Sequence, residues 1–280
     1  MSAIDLYARK SAGFDAKVQV SLQRLSAAAL EHPGRIVQAT SLGAEDMVVT
    51  DLIARHRLPI ALGTLDTGML HPQTVALIER IESTYGRKVE VYRPAQESVV
   101  RFVKEHGERA MYESVELRKA CCALRKLEPL SRMLDQRDAW ITGLRREQSS
   151  HRADVPERER DDHGRHKYNP LADWTWNDVW HYIATHQVPY NPLHDEFMPS
   201  IGCAPCTRAI AVGEDFRAGR WWWENEDKKE CGLHVSAHSG AETSALPVRS
   251  TGNVSPVSTQ AHVGAADVKA ALAAEPESKP

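Results

Sequence analysis

The 280-residue chain is long enough for one large α/β domain with appendages. Its net charge of −3 excludes the broad basic field of a dedicated nucleic-acid binder, so any anionic ligand must be held by local cations. No apolar run approaches the roughly 20 residues needed to span a bilayer, and residues 1–17 lack a signal-peptide core, so a cytoplasmic protein without a membrane partner is expected.

Apolar spacing predicts a helix over residues 16–30. After His32-Pro33-Gly34, Ile36 and Val37 mark a buried strand over 35–40. Ser41-Leu42-Gly43-Ala44-Glu45-Asp46 then turns into a helix over 47–55. A strand over 60–65, a turn at Asp66-Thr67-Gly68 and a helix over 71–85 follow. The next elements are a strand over 88–92, a helix over 96–106, a helical region over 114–134 and a strand over 139–143. Residues 155–167 are almost wholly charged and read as a solvated, mobile loop. Thr175-Trp176-Asn177-Asp178 carries a cap signal for an aromatic-rich helix over 174–186. From residue 236 the chain has almost no large apolar residues and reads as a disordered tail.

Strands alternating with helices at this spacing predict an α/β fold with a doubly wound, mainly parallel sheet. Ligands of such sheets bind beyond the carboxyl ends of the strands. The loops to inspect are therefore 41–46, 66–70 and 144–151.

Four of the five cysteines form two pairs, Cys121-Cys122 and the C-x-x-C of Cys203 and Cys206. Two distant pairs of soft thiolates suit zinc or an iron–sulfur cluster. Structural zinc sites space each pair by two to four residues. Adjacent cysteines on a helix point about 100° apart, which fits the corners of a larger cluster better. Zinc and simple burial of free thiols stay open at this point, as does a thioredoxin-like role for the C-x-x-C. Lys126 lies four positions after Cys122, on the same face of a regular helix, where an ammonium would reach a cluster and an anionic substrate alike. A solvated basic helix face is the competing explanation.

The fifth cysteine sits in Lys228-Lys229-Glu230-Cys231-Gly232-Leu233-His234. Neighbouring cations favour its thiolate. An incidental surface cysteine is the alternative. Ser41–Asp46, between a strand and a helix, has the geometry of a backbone anion cradle, but it lacks the GK[ST] ending of a Walker A loop. Arg145 and Arg146 follow a strand and offer two guanidinium forks, and Arg217 and Arg220 lie between the C-x-x-C and Cys231.

With these motifs placed, the sequence resembles the assimilatory sulfonucleotide reductases over residues 30–235. The resemblance rests on Ser41-Leu42-Gly43-Ala44-Glu45-Asp46, Leu65-Asp66-Thr67-Gly68, Gly143-Leu144-Arg145-Arg146-Glu147-Gln148-Ser149, Glu230-Cys231-Gly232-Leu233-His234 and the cysteine pairs. It implies an adenine nucleotide α-hydrolase-like fold related to ATP pyrophosphatases. Leu42, Ala44 and Glu45 depart from those relatives' Ser-Gly-Gly-x-Asp-Ser loop, which argues against ATP cleavage. The family branch with both cysteine pairs typically reduces adenylyl sulfate, though some members also accept phosphoadenylyl sulfate.

The resemblance implies reduction of adenylyl sulfate to sulfite and AMP in sulfate assimilation and cysteine biosynthesis. It makes Cys231 the nucleophile, leaving an S-sulfocysteine that thioredoxin or a glutaredoxin-like donor resolves. It assigns a [4Fe–4S] cluster to Cys121, Cys122, Cys203 and Cys206. Lys126 and His234 join the catalytic set, and Ser41, Gly43, Asp66, Arg145, Arg146, Arg217 and Arg220 bind substrate. It places a reductase domain over 1–235, with a mobile catalytic segment over about 207–235 ahead of the tail at 236–280. A homo-oligomer is a family-level expectation. The readings from other classes are a zinc-stapled binding module and an ATP-dependent ligase or tRNA-thiolating enzyme. The second is disfavoured by the loop departures and by the lack of a basic surface for nucleic acid.

Overall fold

The computed structural model describes residues 1–211 and 213–225. A short helix α1 (Ala3–Tyr7) precedes α2 (Phe14–Glu31), and the chain then enters β1 (Ile36–Thr40). β1 shows why the sheet is covered on both faces. Ile36 packs with α2 residues Leu25 and Ala28, while its neighbour Val37 packs on the opposite face with Met133, Leu134 and Trp140. Period-two alternation thus feeds two separate apolar layers.

From β1 the chain runs through α3 (Ala44–Arg55), β2 (Ala61–Leu65), α4 (Pro72–Tyr85), β3 (Val89–Tyr92) and α5 (Gln96–His106). It returns through α6 (Val115–Cys122) and α7 (Glu128–Leu134) to β4 (Ala139–Ile141). The sheet order is β3-β2-β1-β4-β6-β5, where β5 is Arg158–Arg160 and β6 is His166–Tyr168. All pairings are parallel except β5 with β6. β2 and β3 lie on one side of β1 and β4 on the other, so the strand order reverses between β1 and β4. That crevice is where an open α/β sheet places its ligand. The predicted fold class holds. Helix α8 (Trp176–His186) starts at the expected signal, with a reciprocal capping box between Thr175 and Asp178.

Two local expectations are corrected. Residues 155–167 are not a mobile loop, since β5 and β6 form an antiparallel hairpin over residues 158–168. The charges that suggested solvation pair with one another. Lys167 meets Glu159 at 2.8 Å, and Arg165 meets Asp161 at 2.8 Å. Gly164, at φ +79°, closes the tight turn.

The helical region at 114–134 is not one regular helix. A π-helical turn, Ala123–Leu127, joins α6 to α7 directly after the cysteine pair. A π-turn bonds residues i and i+5, so it shifts which side chains share a face. Lys126 accordingly acts on Cys121, five positions earlier, and on Cys206, favouring both thiolates.

Candidate active site

The loop after β1 is built by its own acids. Leu42 adopts a left-handed φ of +63°, which turns the chain into α3. The Ser41 amide and hydroxyl both donate to Asp46 Oδ2, at 2.7 and 2.6 Å. The Ala44 amide donates to His194 Nε2 at 3.2 Å. Burial lowers the His194 pKa to about 4, so the ring is neutral at physiological pH and accepts this bond. Glu45 and Asp46 sit in the first turn, where the helix dipole favours negative charge. This corrects the expectation of an open backbone cradle, because the chain's own groups take amides that a phosphate would use. Ser41 and Gly43 nevertheless line the cleft described below.

Asp46 is poised differently from Glu45. Burial, with Glu45 adding repulsion, raises its pKa from 3.8 to about 6, against the lowering effect of the Ser41 donors. A raised carboxyl pKa means that ionisation opposes folding. Its stabilising contribution is therefore complete below the unfolded value of 3.8 and is lost as pH rises through about 6. Asp46→Asn should abolish this component. The wild-type minus variant difference in urea unfolding free energy should change between pH 4 and 6 and stay flat from pH 7 to 8.

Beyond β4, Thr142 and Gly143 form the opposite wall. A Cβ on Gly143 would lie 2.7 Å from Asp46 Oδ1 and 2.9 Å from Glu45 Cβ, so only glycine lets the two strand-end loops close together. Arg145 and Arg146 do not line this cleft, and both substrate assignments are corrected. Arg145 is fully buried, donating to Glu45 Oε1 at 2.9 Å and to Glu147 Oε2 at 2.9 Å. Arg146 pairs with Asp173 and donates to the Val155 carbonyl. These forks tie loops together. Arg152, which the sequence reading missed, does line the cleft and donates to Gln148 Oε1 at 2.7 Å. Its only advance signal was its position next to a strand-end loop.

Asp66 is also corrected. It accepts from the Gly68 amide at 3.0 Å, pairs with Arg93 at 2.9 Å, and is absent from the cleft lining. Its loop serves the cysteines instead. Thr67 Oγ1 lies 3.2 Å from Cys203 Sγ, Arg125 donates to the Thr67 carbonyl at 2.8 Å, and the Ala204 amide donates to Met69 O at 2.7 Å.

Two neighbouring spaces result. The solvent-open cleft lies between the β1 and β4 ends and the 199–203 turn and holds about 200 Å³. Behind it lies a small chamber lined by Cys121, Cys122, Cys203 and Cys206, all buried. Lys126, Cys203 and Trp221 line both spaces. Arg217 and Arg220 join the cleft wall. Arg220 is buried, donates to the Ile201 and Cys206 carbonyls at 3.2 and 3.3 Å, and packs its guanidinium flat against Gly202.

Burial and neighbouring cations act in opposite directions on the chamber sulfurs. Burial and the adjacent Cys203 push the Cys206 thiol up to about 12. Burial also raises Cys121. Arg118, Arg125, Lys126 and Arg220 all bear on these sulfurs. No three of the four Sγ atoms lie within 4.8 Å of one another. Four thiolates on one tetrahedral zinc would stand about 3.8 Å apart, given zinc–sulfur bonds of about 2.3 Å. The donor set and its spread fit a group larger than one ion. Cys231 and His234 lie outside the described residues.

Comparison with known proteins agrees with this architecture. Residues 35–209 match the phosphoadenosine phosphosulfate reductase domain. The chain is 56% identical over 213 residues to the adenosine 5'-phosphosulfate reductase of Allochromatium vinosum, covering 76% of this chain and 83% of that protein. It is 53% identical over 222 residues to the protein of the same name from Burkholderia cepacia, covering 79% and 88%. The crystal structure of phosphoadenylyl-sulfate reductase from Candida auris, a phosphate complex, superposes with a TM-score of 0.58 at 28% identity, covering 72% of this chain and 98% of that one. Yeast FAD synthetase shares the fold alone, at 12% identity over 74% of this chain and 73% of its own, with a TM-score of 0.51. With its parallel sheet, strand-end cleft and matched domain, the chain belongs to the phosphoadenosine phosphosulfate reductase family, in its adenosine 5'-phosphosulfate reductase group.

Proposed function

We propose that this protein is an oxidoreductase that reduces adenylyl sulfate to sulfite and AMP in sulfate assimilation, with a thioredoxin-type dithiol as electron donor. The observation that carries the reading is the shared wall. One ammonium, that of Lys126, lines both the nucleotide-sized cleft and the four-cysteine chamber.

In this scheme the nucleotide half lies at the β1 and β4 ends, against Ser41, Gly43 and Thr142. The sulfonate points toward Lys126, Arg217 and Arg220. The Cys231 thiolate attacks the sulfate sulfur. A sulfur–sulfur bond forms, the bond from that sulfur to the bridging oxygen breaks, and AMP leaves with the electron pair. A donor thiolate then attacks the Cys231 sulfur and expels sulfite. The donor's second thiol resolves the mixed disulfide, so both electrons come from the dithiol. The reacting centre is anionic on both sides, so preorganised cations are the residues' main contribution. His234 sits three positions after Cys231 in the sequence and is assigned to the same centre.

Cys121, Cys122, Cys203 and Cys206 would hold a [4Fe–4S] cluster. That group supplies negative charge beside Lys126 and cross-links α6 to the Cys203 turn. Residues 1–235 are proposed as the catalytic domain, with 207–235 as its catalytic segment. Among the described residues no helix is long and apolar enough to cross a membrane.

The test is sulfite release by anaerobically purified protein with thioredoxin, given adenylyl sulfate or its 3'-phosphorylated form at equal concentration. Metal analysis accompanies it. A strong preference for adenylyl sulfate, in protein with equal iron and acid-labile sulfide, is expected. Comparable rates would make the enzyme dual-specific. Zinc without iron, together with no sulfite from either substrate, would overturn the reading in favour of a zinc-stapled module.

A further inference from the structure

The segment that leads to Cys231 is tied to the cysteine-bearing helix by one buried ion pair. Arg118 stands three and four positions before Cys121 and Cys122 on α6. Its side chain is 0% exposed, and that of Glu224 is 3% exposed. Arg118 Nε donates to Glu224 Oε1 at 3.0 Å and NH2 donates to Oε2 at 2.7 Å, a parallel two-bond fork. The same guanidinium bears on the Cys122 sulfur and lies 4.8 Å from the centre of the Trp221 ring.

Glu224 is also tied to the second cysteine pair. The Trp221 amide donates to Cys206 O at 3.4 Å, the Glu224 amide donates to Trp221 O at 2.9 Å, and Thr207 bridges Arg220. Tyr112, just before α6, donates to the Pro205 carbonyl at 2.6 Å and packs edge-on against Trp223 at 4.5 Å. One short stretch of chain thus bears on both halves of the cysteine chamber and, through Trp221, on the cleft.

We propose that Arg118 and Glu224 are positioning residues that dock residues 220–224 against α6, and so fix the point from which the chain continues to Cys231. This rests on the reading of Cys231 as the nucleophile. Cys231 lies seven positions after Glu224 in the sequence. An extended chain spans at most about 3.3–3.6 Å per residue, so a fixed Glu224 confines the sulfur to within about 25 Å. Confinement of this kind raises the effective concentration of a nucleophile. Releasing the pair leaves a buried guanidinium without its carboxylate beside Cys122, which favours undocking of 221–224. Trp221 and Arg220 then leave the cleft wall, and the last fixed point before Cys231 moves back toward Thr207. The nucleotide half of the site, built at the strand ends, is untouched.

The experiment uses iron-loaded, full-length protein and compares Glu224→Gln with wild type. Three quantities are read: iron per chain, AMP affinity, and the single-turnover rate of S-sulfonation at Cys231 by adenylyl sulfate, followed by intact mass. Glu224→Gln is expected to keep its iron, bind AMP within two-fold of wild type, and sulfonate Cys231 at least ten-fold more slowly. Arg118→Lys keeps the charge and loses the fork, so its rate should fall between the two. S-sulfonation of Glu224→Gln at the wild-type rate would overturn the anchor. So would a decline matched by equal losses of iron and AMP affinity, since that is plain structural damage. If Glu224→Gln fails to hold iron, the double variant R118Q/E224Q, which buries no lone charge, is read by the same criteria. Failure of the wild type itself to form an adduct on Cys231 would overturn the nucleophile assignment instead, and is distinguishable because it appears before any variant is made.

Discussion

Cys231→Ser is expected to abolish sulfite release, with a loss of at least about 10³-fold, as removal of a covalent nucleophile does elsewhere. The reason is the acidity of the group. A cysteine thiol yields a nucleophilic thiolate far more readily than a serine hydroxyl yields an alkoxide. Of the other cysteines only Cys203 reaches the cleft wall, and it is assigned to the cluster. The remaining four are buried around the chamber, and burial disfavours ionisation of Cys121 and Cys206. Because Cys231 is not one of the chamber cysteines, the variant should retain wild-type iron, brown colour and AMP affinity while giving no S-sulfo adduct by mass. Sulfite production by iron-replete Cys231→Ser at more than a few per cent of the wild-type rate would sink the assignment. Loss of iron in parallel with activity would point to a structural role for that sulfur.

How much of this was legible in the sequence depends on the range of the interactions involved. The strands around Ile36–Val37 and Leu62 were legible because short apolar runs bounded by turn residues carry their own signal. The strand-end position of Ser41 and Thr142 followed from the same pattern, through the topology it implies. The hairpin at 158–168 was misread because composition cannot show that Lys167 and Glu159 neutralise each other across two strands. Arg145 was misread for a longer-range reason. Its partner Glu45 is 100 positions away, and only the fold shows that the fork is already filled. The Ser41–Asp46 loop failed as an open cradle for the same reason in reverse, since His194, 150 positions on, takes the Ala44 amide.

The pairing of the cysteines was legible as a pattern of residue types. The π-turn beside Lys126 was overlooked, because Ala123-Leu124-Arg125-Lys126-Leu127 are good helix formers; the available signal was Pro129, which cannot donate to the Arg125 carbonyl. An extra residue in a helical turn weakens local hydrogen bonding and persists where surrounding contacts fix it. Here Arg125 bonds the Thr67 carbonyl, and Cys121 and Cys122 face the chamber. The irregularity sits where it has a use, between the metal-ligand candidates and the cation assigned to the substrate.

Lys126→Met is the sharpest test of that arrangement, because methionine keeps most of the side-chain volume and removes the charge. Losing one preorganised charge-stabilising group typically lowers kcat by about 10²–10³-fold, and a loss of that order is expected here. The argument is electrostatic. As the Cys231 thiolate nears a sulfonate, negative charge concentrates at the wall that Lys126 shares with the chamber. AMP carries no sulfonate, so its affinity should change little, whereas adenylyl sulfate should both bind less tightly and react more slowly. Lys126→Arg keeps the charge with a different reach and should recover part of the rate. Iron content separates the two sides of the wall. Lys126 favours the Cys121 and Cys206 thiolates, so a purely cluster-supporting lysine would show iron loss in Lys126→Met and wild-type turnover per remaining iron. Retained iron with a collapsed single-turnover S-sulfonation rate would place its main effect on the reacting sulfonate. Wild-type rates in iron-replete Lys126→Met would remove it from the catalytic set and leave the charge stabilisation to Arg217 and Arg220.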